Sequence, residues 1–189
     1  MAHTIQDFKS TLGGGGARPN LFEVVLTGEF PGAGDAGYSA DNFSILCKSA
    51  ALPASNISPI EVPFRGRILK VAGERIFDSW TVTVMNDTDF KIRTAMEQWM
   101  NGISRLTNGS GEVDPTNYTA DAKVDQLGRN GEILRRYNFI GLFPTNISEI
   151  PLSFDTTDTI EEFTVEFQVL YWNIAAISNG NATTAPAIN

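Results

Sequence analysis

Hydrophobic and polar residues alternate with a period of two along much of the chain, a pattern typical of β-strands with one buried face. The inward residues that this alternation predicts are Phe22, Val24 and Leu26; Phe43, Ile45 and Cys47; Ile76, Asp78, Trp80, Val82 and Val84; and Phe163, Val165, Phe167, Val169 and Tyr171. Weaker strand patterns cover residues 120–126 and 133–143. Residues 60–71 predict a projecting hairpin around Arg65 and Arg67, in which Pro63 cannot donate a backbone hydrogen bond.

A helical pattern is convincing in only one segment. Its apolar positions recur every three or four residues at Ile92, Met96, Trp99, Ile103 and Leu106, and Met100 widens the stripe. Asp87 or Thr88 is the predicted cap at its start, and Asn108 with Gly109 is the predicted stop. The chain is therefore predicted to be mainly β, an antiparallel sandwich or partial barrel with one flanking α-helix.

The two ends of the chain differ from the middle in composition. Residues 1–16 end in four consecutive glycines, which are costly to order and predict a flexible arm. Residues 176–189 are rich in Asn, Ala and Thr and predict a flexible tail. Residues 17–175 are left as one predicted β-sandwich domain, which suits a chain of 189 residues.

Charge and rare residues exclude several classes of function. The net charge of -8 argues against a protein whose main role is to neutralise nucleic-acid phosphates. Cys47 and His3 are the single residues of their types, so internal disulfides, cysteine-pair zinc sites and internal histidine triads are excluded. We also expect no signal peptide and no membrane span, because no apolar run approaches the ~18 residues that a span needs.

The segment from Gly32 to Gly37 matches the dinucleotide-binding pattern G-x-G-x-x-G. That chemistry needs a helix that opens directly after the glycines, so that its amide groups hold the pyrophosphate. The residues that follow, 38–47, alternate like another strand. A glycine-rich strand connection is therefore the preferred interpretation, and we expect no cofactor.

Acidic residues are densest at Asp155, Asp158, Glu161 and Glu162. Paired carboxylates can serve general acid–base catalysis or hold calcium, but no calcium-loop pattern is present and the spacing suits an ordinary turn before a strand. We therefore predict neither a catalytic nor a metal site here. Cys47 lies at an inward strand position with no internal histidine to activate it, which favours a buried structural thiol.

Charges of opposite sign are separated along the chain. Arg65, Arg67, Lys70 and Arg75 cluster around the predicted hairpin, offset only by Glu61 and Glu74. No Lys or Arg follows Arg136, whereas six acidic residues do. Two solvated faces are the default interpretation for an arbitrary domain. The alternative is a head-to-tail interface in which the basic hairpin of one copy meets the acidic surface of the next.

Two of the predicted strands carry no edge-protecting proline or internal lysine, namely residues 76–85 and 163–171. A small sandwich must cover such edges or pair them with neighbours. The polar faces of these strands suit a barrel wall that faces water, with Thr81, Thr83, Glu162, Thr164, Glu166 and Gln168 as the exposed residues.

Several stretches taken together closely resemble a known family. They are Ala17-Arg18-Pro19-Asn20-Leu21-Phe22, Cys47-Lys48-Ser49-Ala50-Ala51-Leu52-Pro53, Val71-Ala72-Gly73-Glu74-Arg75-Ile76-Phe77-Asp78-Ser79-Trp80-Thr81-Val82-Thr83-Val84-Met85-Asn86-Asp87, Gly141-Leu142-Phe143-Pro144-Thr145-Asn146 and Tyr171-Trp172. Their residues and their order along the chain resemble those of the tail tube proteins of contractile-tailed bacteriophages. The similarity runs from about residue 17 to 172 and is most specific over 71–87. The connection at 28–42 is longer than is usual in that family.

The resemblance implies a β-sandwich subunit with one helix, six of which close into a ring whose strands join into a continuous β-barrel. Rings stack into a tube inside the sheath, and viral DNA leaves through the channel without specific binding. Implied partners are further copies of the chain and the sheath, baseplate, tail terminator and tape measure proteins. The implied location is the virion tail, assembled in the host cytoplasm, and the role is structural rather than enzymatic.

In that family a projecting loop makes the ring-to-ring contacts, and it corresponds here to residues 57–73. The candidates for stacking are therefore Phe64, Arg65, Arg67, Lys70, Arg75, Asp155, Asp158 and Glu161. The lumen-facing candidates are the six polar strand residues above, and an acidic or neutral lumen would let DNA pass without sticking.

Other functions remain open at this point. A tube of a type VI secretion, bacteriocin or extracellular injection system would share the fold. A carbohydrate- or ligand-binding β-sandwich would stack Trp80, Trp99 or Tyr171 on its ligand, although their in-phase positions favour core packing. An enzyme is the third alternative, supported only by the acidic residues near Asp158.

Overall fold

A computed structural model describes residues 4–12, 16–28, 30–34 and 36–176. The strands are β1 Phe22–Thr27, β2 Cys47–Ala50, β3 Asn56–Phe64, β4 Arg67–Ile76, β5 Trp80–Met85, β6 Ala120–Leu127, β7 Ile133–Ile147, β8 Glu162–Gln168 and β9 Tyr171–Ile174. The helices are α1 Ile5–Thr11, α2 Ala40–Leu46, α3 Lys91–Ile103 and α4 Pro115–Tyr118. Most of the glycine run, His3 and the predicted tail from residue 177 onwards lie outside the described residues.

Seven of these strands form one antiparallel sheet that folds into two layers. The first layer contains β1, β6, β9 and the N-terminal part of β7. The second layer contains β2, β5, β8 and the C-terminal part of β7. The hairpin β3–β4 is a separate two-stranded sheet. These pairings confirm the predicted mainly β, antiparallel fold.

The strand β7 belongs to both layers because it bends at Gly141. Gly141 has a φ of +63°, which a residue with a side chain adopts only under strain. Its N–H donates a 2.9 Å hydrogen bond to Oδ1 of Asp121, where the register between β6 and β7 shifts. This bulge turns the strand out of the first layer and into the second.

Aromatic side chains from both layers and from α3 form a single core. Trp80 stacks on Phe139 across the layers, with ring centroids 4.5 Å apart. Trp99 is fully buried, stacks on Phe30 at 4.1 Å and donates its indole N–H to the Tyr118 carbonyl. The predicted inward positions of β5 and β8 are confirmed as buried, and so are Val24 and Leu26 of β1, whereas Phe22 is half-buried against the core. The prediction that the α3 stripe belongs to the core is also confirmed.

The predicted strand through Phe43, Ile45 and Cys47 is wrong, because residues 40–46 form the helix α2. Phe43 is buried and Leu46 and Cys47 pack on the core, which is the i, i+3, i+4 stripe of a helix. Ile45, predicted to point inward, is 75% exposed. The strand β2 begins only at Cys47.

Two long predicted runs are interrupted. Residues 77–79 separate β4 from β5, so Ile76 and Asp78 are exposed and only Trp80, Val82 and Val84 of that run face inward. The run ending at Tyr171 breaks after Gln168, and Tyr171 starts β9 opposite Ile140 with 42% of its surface exposed. The first break lies where the chain enters the second layer from the hairpin, and the second lies where it leaves that layer for the first.

The helix α3 is shorter than predicted. It ends at Ile103 rather than near Gly109, and Leu106 is 93% exposed. The N-cap position is occupied by Phe90 rather than by Asp87 or Thr88. Asp87 nevertheless accepts a hydrogen bond from the Lys91 N–H, one of the backbone donors that have no partner within the first turn of the helix.

The short helices α1 and α4 were also not predicted. The helix α1 lies within the predicted arm, where Thr4 and Asp7 form a capping box. None of the helices among the described residues is long and apolar enough to cross a membrane.

Candidate assembly surfaces

The six polar residues predicted to face a lumen lie together on the outer face of the second layer. Antiparallel pairing places Thr81 opposite Glu166 and Thr83 opposite Thr164, while Glu162 and Gln168 continue the same face along β8. All six are exposed or half-buried, whereas the residues between them are buried in the core. The structure therefore brings these side chains onto one surface that solvent can reach.

Charge on this outer face is sparse and slightly acidic. Glu162 and Glu166 are its carboxylates, and Lys48 is the single basic residue of the four strand segments that form the layer. Lys48 pairs with Glu162, and Ser79 donates a 2.6 Å hydrogen bond to Glu166. Hydroxyls and amides supply most of the remaining polar groups, so the surface offers phosphates no row of cations.

The second layer has two edges without a further strand partner among the described residues, β2 and the C-terminal part of β7. Each of the four strands runs antiparallel to its neighbour. The two edge strands therefore point in opposite directions, and edges of that kind on neighbouring copies can pair as another antiparallel ladder.

The hairpin β3–β4 extends from the start of β5 and pairs with no other strand in the described part of the chain. All nine residues of β3 are exposed. Its turn has positive φ at both central positions, Arg65 at 46° and Gly66 at 81°, and so holds the strands with a native twist. The predicted hairpin is thus confirmed, and its register places Phe64 opposite Arg67 at the tip.

One face of this hairpin is apolar and the other is mixed. Cross-strand pairs put Ile60 opposite Val71 and Val62 opposite Leu69 on the apolar face, which Phe64 extends to the tip. The mixed face carries the ion pair between Lys70 and Glu61, whose charged atoms are 3.6 Å apart. The basic stacking candidates are all exposed, with Arg65 and Arg67 at the tip and Arg75 near the base.

The acidic candidates lie in a connection between β7 and β8, residues 148–161, here called the acidic loop. Asp155 and Asp158 are exposed, while Glu161 is half-buried and accepts a hydrogen bond from the Asn86 side chain at 3.1 Å. Among the residues that the structure describes, no group of three His, Cys, Asp or Glu side chains is placed to hold a metal ion.

The hairpin and the acidic loop lie at opposite ends of the second layer. The hairpin leads into Trp80, which pairs with Phe167, whereas the acidic loop leads into Glu162, which pairs with Met85 at the other end of β5. Within one copy, the basic tip and the acidic loop are therefore not brought together. They meet only if copies are arranged head to tail.

The prediction that a strand follows the glycine-rich segment is wrong. A helix does follow it, but α2 begins at Ala40 and has only seven residues. The segment instead packs closely on α3: a side chain at Gly32 would place its Cβ 2.3 Å from the Cβ of Gln98. Nearby Phe30 is buried against Trp99, so this connection completes the core.

The cysteine prediction is confirmed. Cys47 is a free thiol that is 7% exposed, and burial raises its pKa to about 12. The thiol is therefore protonated at neutral pH and is a poor nucleophile.

The aromatic residues of the ligand-binding alternative are not gathered in a site. Trp80 and Trp99 are 2% and 0% exposed, as expected for core residues, while Tyr171 lies at the surface, contrary to its predicted core position. A cavity of about 700 Å³ is lined by residues that include Phe77, Tyr118 and Leu170. Trp80, Trp99 and Tyr171 are not among its lining residues.

Sequence reasoning missed the apolar component of the exposed ends. The alternation of Ile60, Val62 and Phe64 indicates a strand with one face to bury. The predicted interface was instead based on the charged residues of the hairpin. In the acidic loop, Leu152 and Ile160 are 80% and 67% exposed without any periodic signal. A further missed residue is Asp125, which is buried and accepts two 2.6 Å hydrogen bonds from Arg136.

Relatives with similar sequences are tail tube proteins of phages. The chain is 36% identical over 157 residues to tail tube protein gp19 of Enterobacteria phage T4, covering 82% of this chain and 90% of the relative. The corresponding protein of Enterobacteria phage T6 is 35% identical with the same coverage. The tail tube protein of Serratia phage KSP90 is 23% identical over 87% of this chain and 93% of its own.

Solved structures with a similar fold come from contractile injection systems. The anti-feeding prophage cap matches with a TM-score of 0.60 at 19% identity, over 84% of this chain and 90% of that one. A chain of the PVC sheath–tube complex in the extended state matches with a TM-score of 0.56 at 16% identity, over 93% of this chain and all of that one. At these identities the likeness concerns the fold.

A family model described as phage tail tube protein matches residues 17–175. This span contains both layers, the hairpin and the acidic loop. Together with the identity to the T4 and T6 proteins over most of the chain, the match shows that this chain belongs to the phage tail tube protein family.

Proposed function

We propose that this protein is the structural subunit of a phage tail tube, in which six copies close into a ring and rings stack head to tail. The observation that carries the proposal is the family match over residues 17–175, on a fold whose second layer has a polar outer face and two edges that no described strand pairs. Residues 17–175 form the tube domain in this proposal, with 1–16 as an arm and 176–189 as a tail. Catalysis has no part in it.

Edge-to-edge pairing of the second layer gives a closed barrel of plausible size. Each subunit contributes four strands, so six subunits contribute 24. At about 4.8 Å between strands, the circumference is at least about 115 Å and the diameter about 37 Å, and strand tilt widens it. A channel of that width accommodates a nucleic-acid duplex.

The outer face of the second layer then lines the channel, with Thr81, Thr83, Glu162, Thr164, Glu166 and Gln168 facing the lumen. Its sparse, slightly acidic charge suits a conduit for DNA, because phosphates meet repulsion or neutral hydroxyls and amides instead of cations. DNA in transit is thus not bound specifically.

Ring-to-ring stacking uses the two ends of the layer. Arg65, Arg67, Lys70 and Arg75 with Phe64 extend from one end, and the acidic loop with Asp155, Asp158 and Glu161 lies at the other. Such a heterologous contact repeats without closing and so generates a tube rather than a finite oligomer.

The remaining partners follow from a tube in a contractile tail. Sheath protein surrounds the tube, the baseplate and tail terminator protein hold its two ends, and the tape measure protein occupies the channel during assembly. The tube is assembled in the host cytoplasm and ends up in the virion tail.

Charge reversal at the hairpin tip tests this proposal. Arg65→Glu with Arg67→Glu places like charges beside the acidic loop of the next copy, so tubes seen by negative-stain microscopy should become several-fold shorter or disappear while the circular dichroism spectrum is unchanged. The matched control is Arg105→Glu with Arg129→Glu, two exposed arginines away from the hairpin. Equal tube lengths in both variants would refute the stacking arrangement, and native material without any tubes would refute the proposed function.

A further inference from the structure

The apolar face of the hairpin is not covered by the rest of the described chain. Ile60, Val62, Phe64, Leu69 and Val71 share this face and are 43–67% exposed. A lone two-stranded hairpin is only marginally stable in water, and an apolar surface of this kind marks a site of interaction. The described residues thus leave this face available to a partner surface in the assembled state.

A second uncovered apolar surface lies at the opposite end of the second layer. Phe90, Leu152 and Ile160 are 43%, 80% and 67% exposed there. A groove of about 470 Å³ runs along the acidic loop between Ile150, Leu152 and Ile160. A smaller cavity of about 210 Å³ adjoins it through Ile150 and Leu152 and is lined by Phe90. We call this surface, formed by Phe90, Ile150, Leu152 and Ile160, the end groove.

Charges beside the two surfaces are complementary. Arg65 and Arg67 lie at the tip of the hairpin, next to Phe64. Asp155 and Asp158 belong to the loop that forms the end groove, and residues 148–162 contain no Lys or Arg. Arg93 lines the smaller cavity with Glu161, and its charge is paired with Glu97 at 2.8 Å. Because the two surfaces are at opposite ends of one copy, their complementarity is satisfied only between copies.

The hairpin is also long enough for such a contact. Nine residues of β3 at about 3.3 Å each extend about 30 Å, compared with about 23 Å for the seven residues of β8. A hairpin that projects from one end of the layer can therefore pass the boundary between two stacked copies and lie along the acidic loop of the next.

We infer that the apolar face of the hairpin of one copy docks into the end groove of a second copy, and that this apolar contact, more than the charges, holds the stack together. The inference rests on the proposed function and names the surface that receives the hairpin. Exposed ion pairs contribute little because water and salt screen them, whereas five large side chains removed from water contribute in proportion to their area. The arginines and carboxylates then set the orientation of the contact.

Cross-linking tests which surface receives the hairpin. Phe64→Cys and Leu152→Cys are combined in a Cys47→Ala chain, so that the two new thiols are the only ones. Oxidation of assembled tubes should give a ladder of covalent multimers on a non-reducing gel, because each copy is joined to a different neighbour at each end. Phe64→Cys with Ile45→Cys is the matched control, since Ile45 is exposed on α2 outside the end groove, and it should give no ladder.

Tubes that form normally but give no ladder, or a ladder equally strong in the control, would overturn the docking inference alone. Failure of the native chain to form tubes would instead contradict the proposed function.

A second measurement needs no cysteines and separates apolar from charged contributions. Val62→Thr with Leu69→Thr alters the apolar face, and Glu61→Gln alters the opposite face of the same hairpin at a residue outside the stacking candidates. We expect the critical concentration for tube assembly to rise about tenfold or more for the first variant and less than about twofold for the second. Equal effects, or native tubes that dissolve completely in 1 M salt, would contradict the inference.

Discussion

The sandwich body, meaning the two layers with α2, α3 and α4, and the hairpin carry similar strand patterns but bury them differently. In the body, Phe139, Val165 and Trp99 are fully buried by other parts of the same chain. In the hairpin, Phe64 and Leu69 remain 67% and 61% exposed. Alternation along a strand therefore tells which face must be covered, but not whether the same copy covers it.

This difference divides the molecule by role. The body has the aromatic contacts and hydrogen bonds that a stable single copy needs, whereas the hairpin forms a separate sheet that is covered by neighbours only in the proposed assembly. Substitutions in the body should therefore change the free energy of unfolding, and substitutions in the hairpin should change assembly.

The largest expected effect is at Trp99. Trp99→Ala removes a fully buried indole that stacks on Phe30 and bonds to the Tyr118 carbonyl, so the free energy of unfolding should fall by about 3–5 kcal/mol. Urea denaturation of dilute, unassembled subunit measures it. A loss below about 1 kcal/mol would mean that the core does not depend on α3.

An intermediate effect is expected at Asp125. Its carboxylate is 3% exposed and takes two hydrogen bonds from Arg136, so Asp125→Ala leaves a partly buried guanidinium without its partner. The free energy of unfolding should fall by about 2–3 kcal/mol. Lys48→Ala, which breaks the exposed pair with Glu162, is the control and should cost less than about 1 kcal/mol. Equal losses would show that burial does not distinguish the two pairs.

The smallest effect on stability is expected in the hairpin. Ile60→Ser with Leu69→Ser alters side chains that contact little else in one copy, so unfolding of the dilute subunit should change by less than about 0.5 kcal/mol. The same urea titration measures it. A loss as large as that of Trp99→Ala would mean that the hairpin folds back onto the body in the free subunit.

Much of the body could be predicted from the sequence because strand phase is a local property. The buried positions of β1, β5 and β8 follow directly from alternation. The strand prediction for residues 43–47 was wrong because Phe43 and Cys47 fit both one face of a strand and one stripe of a helix. A short apolar run does not distinguish the two. The break at residues 77–79 was not predicted, because these residues continue the alternation although they belong to no strand.

The candidate surfaces could be predicted only in part. That Thr81, Thr83, Thr164 and Glu166 share one face follows from their phase, but their cross-strand neighbours depend on pairing between segments 80 residues apart. The same pairing sets the hairpin and the acidic loop at opposite ends, so no local pattern reveals it. Leu152 and Ile160 lie in an irregular loop, where no periodicity marks an apolar side chain as functional.

The passage of β7 from one layer to the other has a mechanical consequence. The fifteen consecutive residues of β7 run from the first layer into the second through the bend at Gly141. A pull at Ile147 in the second layer is therefore carried to the first layer through the covalent backbone, and not only through side-chain packing. The two layers of each subunit should therefore move together when a tube is under load.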